Sequence, residues 1–295
     1  MKQEIFKELS NYKKILEETG YNVIYIGLYG SQNYNLDDEK SDIDVKAIIL
    51  PSLHDIIFRK TTSTTIECEK GNIDVKDLLT FYDVIKKGNF SYIEAINTEY
   101  SIGDKYIKNL FKDNFKPNLK SMLGAMYEKR KALTHEYPSK KKEFESWGFD
   151  PKQYHHICRL YDLLEYNQRN CYCHSFIKYD DNDTTRIKLI ALKRNKDNMS
   201  KNFVEFDSDN IIEDAKKFIP ENYVYEIVNI DDEINNYIEK NIKLELLKID
   251  NYTSAREYRT FDSSIPKKDL EKFPILEKYK GQDISYIVYE SIEIL

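Results

Sequence analysis

Apolar runs separated by short polar turns dominate the first hundred residues of this chain. Apolar positions at helical spacing predict an opening helix over residues 1–19. Apolar runs over residues 21–29 and 42–50 predict two strands, and residues 64–68 and 73–75 predict two more. The N-terminal part is therefore expected to combine a small mixed sheet with helices.

The pattern over the next stretch is mainly helical. Residues 77–87 and 90–97 predict helices, and Gly88-Asn89 ends the first of them. Residues 104–170 also have helical spacing, with a strong start signal at Asp150-Pro151, where a capping side chain precedes a proline in the first turn. A helical domain is therefore expected after the sheet.

The pattern changes again after residue 178. Residues 186–193 alternate as a strand does, whereas 211–218 and 231–249 predict helices, and 286–288 could form an edge strand. The predicted fold class is α+β: a catalytic domain over residues 1–103, a helical domain over 104–178, and an α+β extension over 179–295. No candidate chemistry is found in the extension.

Three aspartates fall on the predicted strands. Alternate residues of a strand point the same way, so Asp42 and Asp44 share one face while Ile43 and Val45 occupy the other. Adjacent carboxylates repel each other unless a cation lies between them, and hard divalent cations take oxygen ligands. If the strand of Asp74 lies alongside, three carboxylates could hold two magnesium ions about 3.5–4 Å apart.

A Gly30-Ser31 turn ends the apolar run that precedes these aspartates. Glycine lets the backbone approach a phosphate closely, and amide groups at a following helix start attract negative charge. Taken singly, a Gly-Ser pair is an ordinary turn and an Asp-x-Asp pair is a solvated strand edge. Their occurrence together, with a third aspartate on another strand, favours a site for metal and phosphate.

This combination resembles the polymerase-β-type nucleotidyltransferases, and more narrowly the predicted bacterial and phage nucleotidyltransferases associated with RNA repair. The resemblance covers residues 20–170 and has one departure, because Asn35 stands where a glycine is usual. Asparagine tolerates the left-handed conformation, so the departure is mild. The matching motifs are Gly30-Ser31, Tyr34, Ser41-Asp42-Ile43-Asp44, Asp74-Val75, Lys87-Gly88-Asn89, Glu94 and Asp150-Pro151-Lys152 with His155 and Arg159.

The resemblance implies transfer of a nucleoside monophosphate from an NTP to an acceptor hydroxyl. Asp42, Asp44 and Asp74 would be the catalytic residues and would bind two Mg²⁺ ions, which Mn²⁺ could replace. The implied nucleotide-binding residues are Gly30, Ser31, Ser41, Lys152, His155 and Arg159. Lys152, either His155 or His156, and Arg159 share a helix face by their spacing. That face could bind the triphosphate, or Lys152 and Arg159 could simply be solvated while His155 makes a local contact.

Charge is distributed unevenly along the chain, whose net charge is -6. The first and last hundred residues are acidic, whereas residues 105–169 are basic. The basic residues are Lys105, Lys108, Lys112, Lys116, Lys120, Lys129, Arg130, Lys131, Lys140, Lys141, Lys142, Lys152, Arg159 and Arg169. A polyanion such as an RNA end, with tRNA first, would suit this region, although solvated helix faces account for any single lysine.

Other acceptors stay open. A protein hydroxyl ranks second, a small molecule third, and a catalytically silent nucleotide-binding protein is the alternative that is not an enzyme. No apolar run is long enough to span a bilayer, and the first residues predict an amphipathic helix, not a signal peptide. A cytoplasmic protein without membrane contact is therefore expected.

The cysteines add one further alternative. Reduced thiols are the simpler account of Cys68, Cys158 and the Cys171-Tyr172-Cys173-His174 segment. That segment could also form a zinc site, with Cys158 or His155 as a fourth ligand. The usual Cys-x-x-Cys spacing is missing, which argues against zinc.

Overall fold

A computed structural model describes residues 2–38, 41–170 and 175–250 of the chain, the last of these by backbone alone beyond residue 242. Its strands are β1 (Asn22–Leu28), β2 (Val45–Leu50), β3 (Ser63–Cys68), β4 (Gly71–Asp77) and β5 (Ser101–Gly103). Its α-helices are α1 (Lys2–Glu18), α2 (Ser31–Tyr34), α3 (Leu53–Ile57), α4 (Leu78–Ile85), α5 (Phe90–Asn97), α6 (Lys105–Asn114), α7 (Leu119–Leu133), α8 (Lys141–Trp147), α9 (Pro151–Arg169), α10 (Thr184–Lys193), α11 (Lys201–Ala215) and α12 (Asp231–Asp250). Short 3₁₀ turns span Pro138–Lys140 and Lys216–Phe218.

The chain divides into two compact units. Of the described residues, those up to Pro51 and from Thr61 to Val228 form the first unit, and Ser52–Lys60 with residues 229–250 belong to the second. In the second unit, α3 begins with a capping box, in which the Ser52 hydroxyl accepts the Asp55 N–H at 3.1 Å and the Asp55 carboxylate accepts the Ser52 N–H at 3.2 Å. α12 is the other described helix of that unit.

The first unit contains one open, mixed sheet with strand order β3-β4-β2-β1-β5. β2 and β4 run parallel, and the other neighbouring pairs are antiparallel. The predicted α+β class is thus confirmed. The strand that carries Asp74 also lies beside β2, as expected, and Lys46 is the residue opposite Asp74.

The two faces of this sheet differ in chemistry. One face packs on α1, whose buried side chains recur at helical spacing. Those side chains are Ile5, Leu9, Tyr12 and Leu16, and their partners on the sheet include Ile43, Val45, Ile73 and Val75. The alternate positions of β2 and β4 therefore point to the opposite face, which carries the charged residues.

A second core joins the long helices after the sheet. Met122 and Met126 of α7 pack with Leu160 and Leu164 of α9 and with Ile212 of α11. Leu160 and Leu164 are almost fully buried in this core. Among the described residues, no helix has both the length and the apolar character needed to cross a membrane.

One predicted element is wrong. Residues 186–193 were expected to form a strand from their alternation, but they belong to α10, whose first turn is capped by Asp183 at 2.7 Å from the Thr185 amide. A short alternating run also fits a helix, and here the buried residues Leu189 and Lys193 are four apart, the spacing of one helix face.

The remaining predictions concern a helix over residues 211–218, an edge strand and a cysteine–histidine segment. The helix predicted over residues 211–218 begins earlier, because the Ser200 hydroxyl caps α11 by accepting the Phe203 amide at 3.3 Å. The predicted edge strand over residues 286–288 and the cysteine–histidine segment over residues 171–174 lie outside the described residues. Cys68 and Cys158 are free thiols.

Candidate functional site

The turn after β1 has the backbone conformation that only glycine adopts readily. Gly30 has φ 90° and ψ -164°, and Ser31 begins the short helix α2 directly after it. A Cβ added at Gly30 would have no atom within 4 Å, so the backbone borders open space. The close approach of a ligand that the sequence predicted at this glycine is therefore sterically allowed.

Asn35, which stands where the proteins that the sequence resembles usually have glycine, adopts the left-handed conformation that was expected of it. Asn35 lies in the left-handed region with φ 63° and ψ 35°. The Asn35 side-chain amide donates to the Tyr179 backbone carbonyl at 2.9 Å. The Asn35 backbone carbonyl accepts from Arg186 Nε at 2.6 Å. Asparagine thus adopts the left-handed conformation that a glycine would, and its side chain adds a contact to Tyr179, ahead of α10.

Asp42 and Asp44 lie immediately before β2, at the end of the sheet where the glycine turn follows β1. The Tyr29 N–H donates to the Asp44 carbonyl at 3.1 Å, so the turn and the two aspartates are neighbours across the sheet. Asp44 Oδ1 accepts from the Asn72 backbone N–H at 3.0 Å and from Asn72 Nδ2 at 3.3 Å. Asp42 is exposed, whereas the intervening Ile43 is buried on the other side.

Asp74 faces the same side of the sheet but is engaged by cations of the chain itself. Its Oδ2 lies 2.7 Å from Lys46 Nζ and accepts the Tyr92 hydroxyl at 2.7 Å, while Lys76 Nζ lies 3.8 Å from Oδ1. Burial raises the pKa of the Asp74 carboxyl, but Lys46 and the hydrogen bonds outweigh that effect and hold the pKa below its usual range. Asp74 is therefore an ionised, paired carboxylate.

The predicted metal ligands form only part of a metal site in this arrangement. Among residues 2–38, 41–170 and 175–242, no group of three His, Cys, Asp or Glu side chains is close enough to hold a metal ion. Asp42 and Asp44 offer oxygen donors of the kind that Mg²⁺ prefers. The oxygens of Asp74 do not fit a second ion, because Lys46 and Tyr92 bind one of them and Lys76 lies beside the other.

A network of buried polar side chains contacts the glycine turn. The Gly30 N–H donates to the Tyr34 hydroxyl at 3.2 Å, and that hydroxyl donates to Glu94 Oε2 at 2.6 Å. Arg159 Nη1 donates to Glu94 Oε1 at 3.0 Å, and its guanidinium lies 4.2 Å from the centre of the Tyr34 ring. This hydrogen-bonded network connects α9 and α5 to the turn through side chains of three of the motifs found in the sequence.

The charges of this buried pair follow from its surroundings. Burial raises the pKa of the Glu94 carboxyl, even though Arg159 and Tyr34 act against the shift. Burial alone would lower the pKa of Arg159, but the neighbouring Tyr34 and Glu94 raise it, so the guanidinium stays charged. Arg159 is thus held by Glu94 and does not project into the open space at Gly30.

The other predicted nucleotide-binding residues of α9 point in different directions. Lys152 is exposed near the start of the helix. His155 is buried, with Nδ1 2.7 Å from the Leu189 carbonyl, and burial lowers its pKa to about 3. His155 is therefore a neutral ring that donates to α10, and Lys152 is the one of the three that offers a charge to solvent.

Ser41 is held by residues that the sequence did not single out. Its hydroxyl accepts from the Asp38 N–H at 2.9 Å and from Lys193 Nζ at 2.8 Å. Arg194 forms a two-pronged pair with the Asp38 carboxylate, at 2.8 and 2.9 Å. These contacts fix the C-terminal end of α10 to the loop before Asp42. They were not predicted, because residues 186–193 were expected to form a strand.

The functional residue that sequence reasoning missed is Lys46. It lies two positions after Asp44 on β2, so the alternation that placed Asp42 and Asp44 on one face also places Lys46 there. The alternation alone could have found it. Its pairing with Asp74 required the register of β2 against β4, which no local pattern specifies.

Comparison with known proteins gives no match: no family model fits the chain, and a search of curated proteins finds no similar sequence. Inferences about function therefore depend on the geometry of this site and on the resemblance of its motifs.

Proposed function

We propose that the chain is a nucleotidyltransferase that transfers a nucleoside monophosphate from an NTP to an acceptor hydroxyl. The acceptor hydroxyl would lose its proton to solvent as its oxygen bonds to the α-phosphorus, the bond to the β-phosphate would break, and pyrophosphate would leave. The observation that supports this most is the 3.1 Å hydrogen bond from Tyr29 to Asp44, which puts the glycine turn next to the carboxylate pair. A substrate that carries both phosphates and a divalent ion suits that juxtaposition.

Each element of the site has a role in this proposal. The open backbone at Gly30 and the Ser31 hydroxyl hold the β- and γ-phosphates, and exposed Lys152 neutralises part of the triphosphate charge. Asp42 and Asp44 hold a divalent ion, Mg²⁺ or Mn²⁺, which when bound withdraws electrons from the phosphate oxygens. Arg159 acts through Glu94 and Tyr34 as a positioning residue for the turn.

Turnover of NTP tests the proposal. Purified chain is incubated with each α-labelled NTP, Mg²⁺ and cell lysate, and label in macromolecules is counted. Asp42→Asn/Asp44→Asn should lower incorporation by about 10³-fold, since metal contacts contribute several kcal/mol and each 1.36 kcal/mol is tenfold. Asp113→Asn, an exposed aspartate of α6, is the matched control and should keep full incorporation. Unchanged incorporation in the double variant refutes metal-assisted transfer.

The Lys46–Asp74 pair favours one second candidate, a nucleotide-binding protein without turnover. A site that has lost one carboxylate to a lysine could still bind an NTP at the glycine turn. Saturable NTP binding without incorporation into any acceptor, in Mg²⁺ and in Mn²⁺, would select this candidate over the enzyme.

For the acceptor we propose an RNA end, with tRNA first, a protein hydroxyl second and a small molecule third. The basic middle of the chain supports the order, although several of its cations pair with carboxylates. Arg130 contacts Asp209 at 2.7 Å, and Lys131 contacts Glu128 at 2.9 Å. Digestion of the labelled lysate with RNase or with protease would identify the class of acceptor.

A further inference from the structure

We propose that the Lys46 ammonium occupies the second cation position of this site, so that the chain binds one divalent ion, at Asp42 and Asp44, and not two. The inference rests on the proposed function for the use of that ion. Asp74 is then the counter-ion that positions Lys46 and is not a metal ligand.

The position of Lys46 follows from the strand on which it lies. Lys46 is two residues beyond Asp44, about 6.4–6.8 Å farther on in an extended chain, and alternation puts the two on the same face. Its register partner on β4 is Asp74, and Lys46 Nζ lies 2.7 Å from Asp74 Oδ2. The lysine is only 5% exposed, so its side chain is fixed against the sheet.

Two tyrosines complete a cage around the ammonium group. Lys46 Nζ lies 4.2 Å from the centre of the Tyr29 ring and 3.8 Å from the centre of the Tyr92 ring. Aromatic faces attract cations, and the attraction is larger where water is excluded. The Tyr92 hydroxyl also donates to the Asp74 oxygen that Lys46 binds. The ammonium is therefore held by a carboxylate and two rings at once.

The remaining oxygen of Asp74 is no better suited to a metal ion. Lys76 Nζ lies 3.8 Å from Asp74 Oδ1 and donates to the Ser63 hydroxyl at 2.6 Å. One carboxylate thus faces two ammonium groups, so the local charge is already positive before any metal arrives. A second dication here would meet repulsion from both lysines and would have to displace a hydrogen-bonded tyrosine.

A lysine can perform part of the work of a second metal ion. Its fixed charge can stabilise negative charge that develops on phosphate or acceptor oxygens, without any change in its own position during the reaction. Alternation along an extended segment puts Lys46 on the same side as Asp44, near which the proposed metal–triphosphate complex lies. The charge that the second ion supplies in a two-metal site is here covalently attached to the chain.

Counting Mn²⁺ ions by electron paramagnetic resonance tests this inference. The full chain is titrated with Mn²⁺, alone and with each of the four α,β-methylene NTPs, and two ions about 3.5–4 Å apart would show spin coupling that one ion cannot show. The expected wild-type result is one bound ion per chain without coupling, and the same result for Asp74→Asn and for Lys46→Arg. Asp42→Asn/Asp44→Asn should bind none.

Removal of the ammonium should create the missing site. Lys46→Met should bind a second ion through the released Asp74 carboxylate and show a coupled signal, and Lys46→Met/Asp74→Asn should return to one ion. If Lys46→Met does not fold, Asp74→Asn decides alone: retention of the single ion supports the proposal, and loss of an ion overturns it.

Two wild-type results would also overturn the inference, and they have different meanings. A coupled pair of ions in the wild type, reduced to one in Asp74→Asn, assigns Asp74 as a metal ligand and leaves the proposed nucleotidyl transfer standing. No bound ion under any condition removes metal-assisted transfer as well. Label incorporation, measured separately, distinguishes the two failures.

Discussion

The Arg159 guanidinium donates a hydrogen bond to the Glu94 carboxylate at 3.0 Å, and the two side chains are only 5% and 1% exposed. The pair joins α9 to α5, and Tyr34 extends the contact to Gly30. The family resemblance implied that Arg159 binds the triphosphate. In the structure, the same residue supports the turn that is proposed to bind it.

Breaking this buried pair should destabilise the fold strongly. Arg159→Met leaves Glu94 without its counter-ion, and removal of one partner of a buried pair costs about 3–5 kcal/mol. Urea denaturation would measure the loss. Glu94→Gln/Arg159→Met removes both charges and should recover much of it.

An exposed pair on the same helix provides the control. Arg169 contacts Glu165 at 2.6 Å, and the arginine side chain is 68% exposed, so Arg169→Met should change the unfolding free energy by no more than about 1 kcal/mol. Equal losses of unfolding free energy in Arg159→Met and Arg169→Met would show that the buried pair contributes no more to stability than the exposed one.

Gly30 should be sensitive to substitution through its backbone and not through crowding. An added Cβ meets nothing within 4 Å, but φ 90° with ψ -164° is strained for other residues by about 1–3 kcal/mol. Gly30→Ala should therefore destabilise the chain by that amount and weaken NTP binding.

Gly124 offers the matched control. It lies inside α7, where an added Cβ again meets nothing within 4 Å. Gly124→Ala should stabilise the fold by about 0.4–1 kcal/mol and leave NTP binding unchanged. Calorimetry that finds equal NTP affinity in Gly30→Ala and wild type would exclude this turn as the phosphate site.

Local patterns predicted the parts of the site that lie within a few residues of each other. The alternation of Asp42, Ile43, Asp44 and Val45 specifies which residues share a face, and the Asp150-Pro151 signal specifies where α9 begins. The structure confirms the start of α9 at Pro151, whereas β2 begins only at Val45, so Asp42 and Asp44 lie just before the strand that was predicted to carry them.

Features that depend on contacts between distant segments were not predictable in the same way. The Lys46–Asp74 pair requires the register of two parallel strands, and the Glu94–Arg159 pair joins residues 65 positions apart. α10 was mistaken for a strand because eight alternating residues fit both periods, and the packing of Leu189 against other segments decides between them. Such outcomes depend on tertiary packing, which composition and periodicity do not contain.

His155 should make the fold less stable in acid. Burial lowers its pKa from about 6.5 to about 3, so the unfolded chain binds a proton between those values and the folded chain does not. Stability should therefore fall as pH drops below 6.5, by about 1.4 kcal/mol per unit from this residue. Neighbouring His156, whose pKa is also lowered by burial and by His155, should add to the loss.

A variant separates this effect from general acid denaturation. His155→Gln keeps a donor for the Leu189 carbonyl but cannot take up a proton, so its unfolding free energy should decline less between pH 6.5 and 5 than that of the wild type. His135→Gln, which removes an exposed histidine, is the control. Identical pH profiles for wild type and His155→Gln would contradict the buried, neutral state of the ring.

The RNA acceptor predicts a salt dependence that belongs to the basic middle of the chain. Each phosphate contact with single-stranded RNA changes the log–log slope of affinity against salt by about -0.7. Lys140 and Lys141 contact Glu143 and Glu145 at 3.3 and 3.8 Å, so phosphates must compete with these pairs. Changing Lys140, Lys141 and Lys142 to Gln should therefore reduce the slope by at most about 2 and leave NTP binding unaltered.

Three lysines of α1 provide the matched control for that experiment. Lys13 and Lys14 contact Glu17 and Glu18 at 3.5 and 3.6 Å, which resembles the pairing of Lys140 and Lys141, but they lie in the acidic first hundred residues. Changing both, together with Lys7, removes the same charge and should leave the slope for tRNA unchanged. An equal decrease in both triple variants would indicate a nonspecific effect of net charge. No saturable tRNA binding even in low salt would exclude the RNA acceptor and place the protein hydroxyl first.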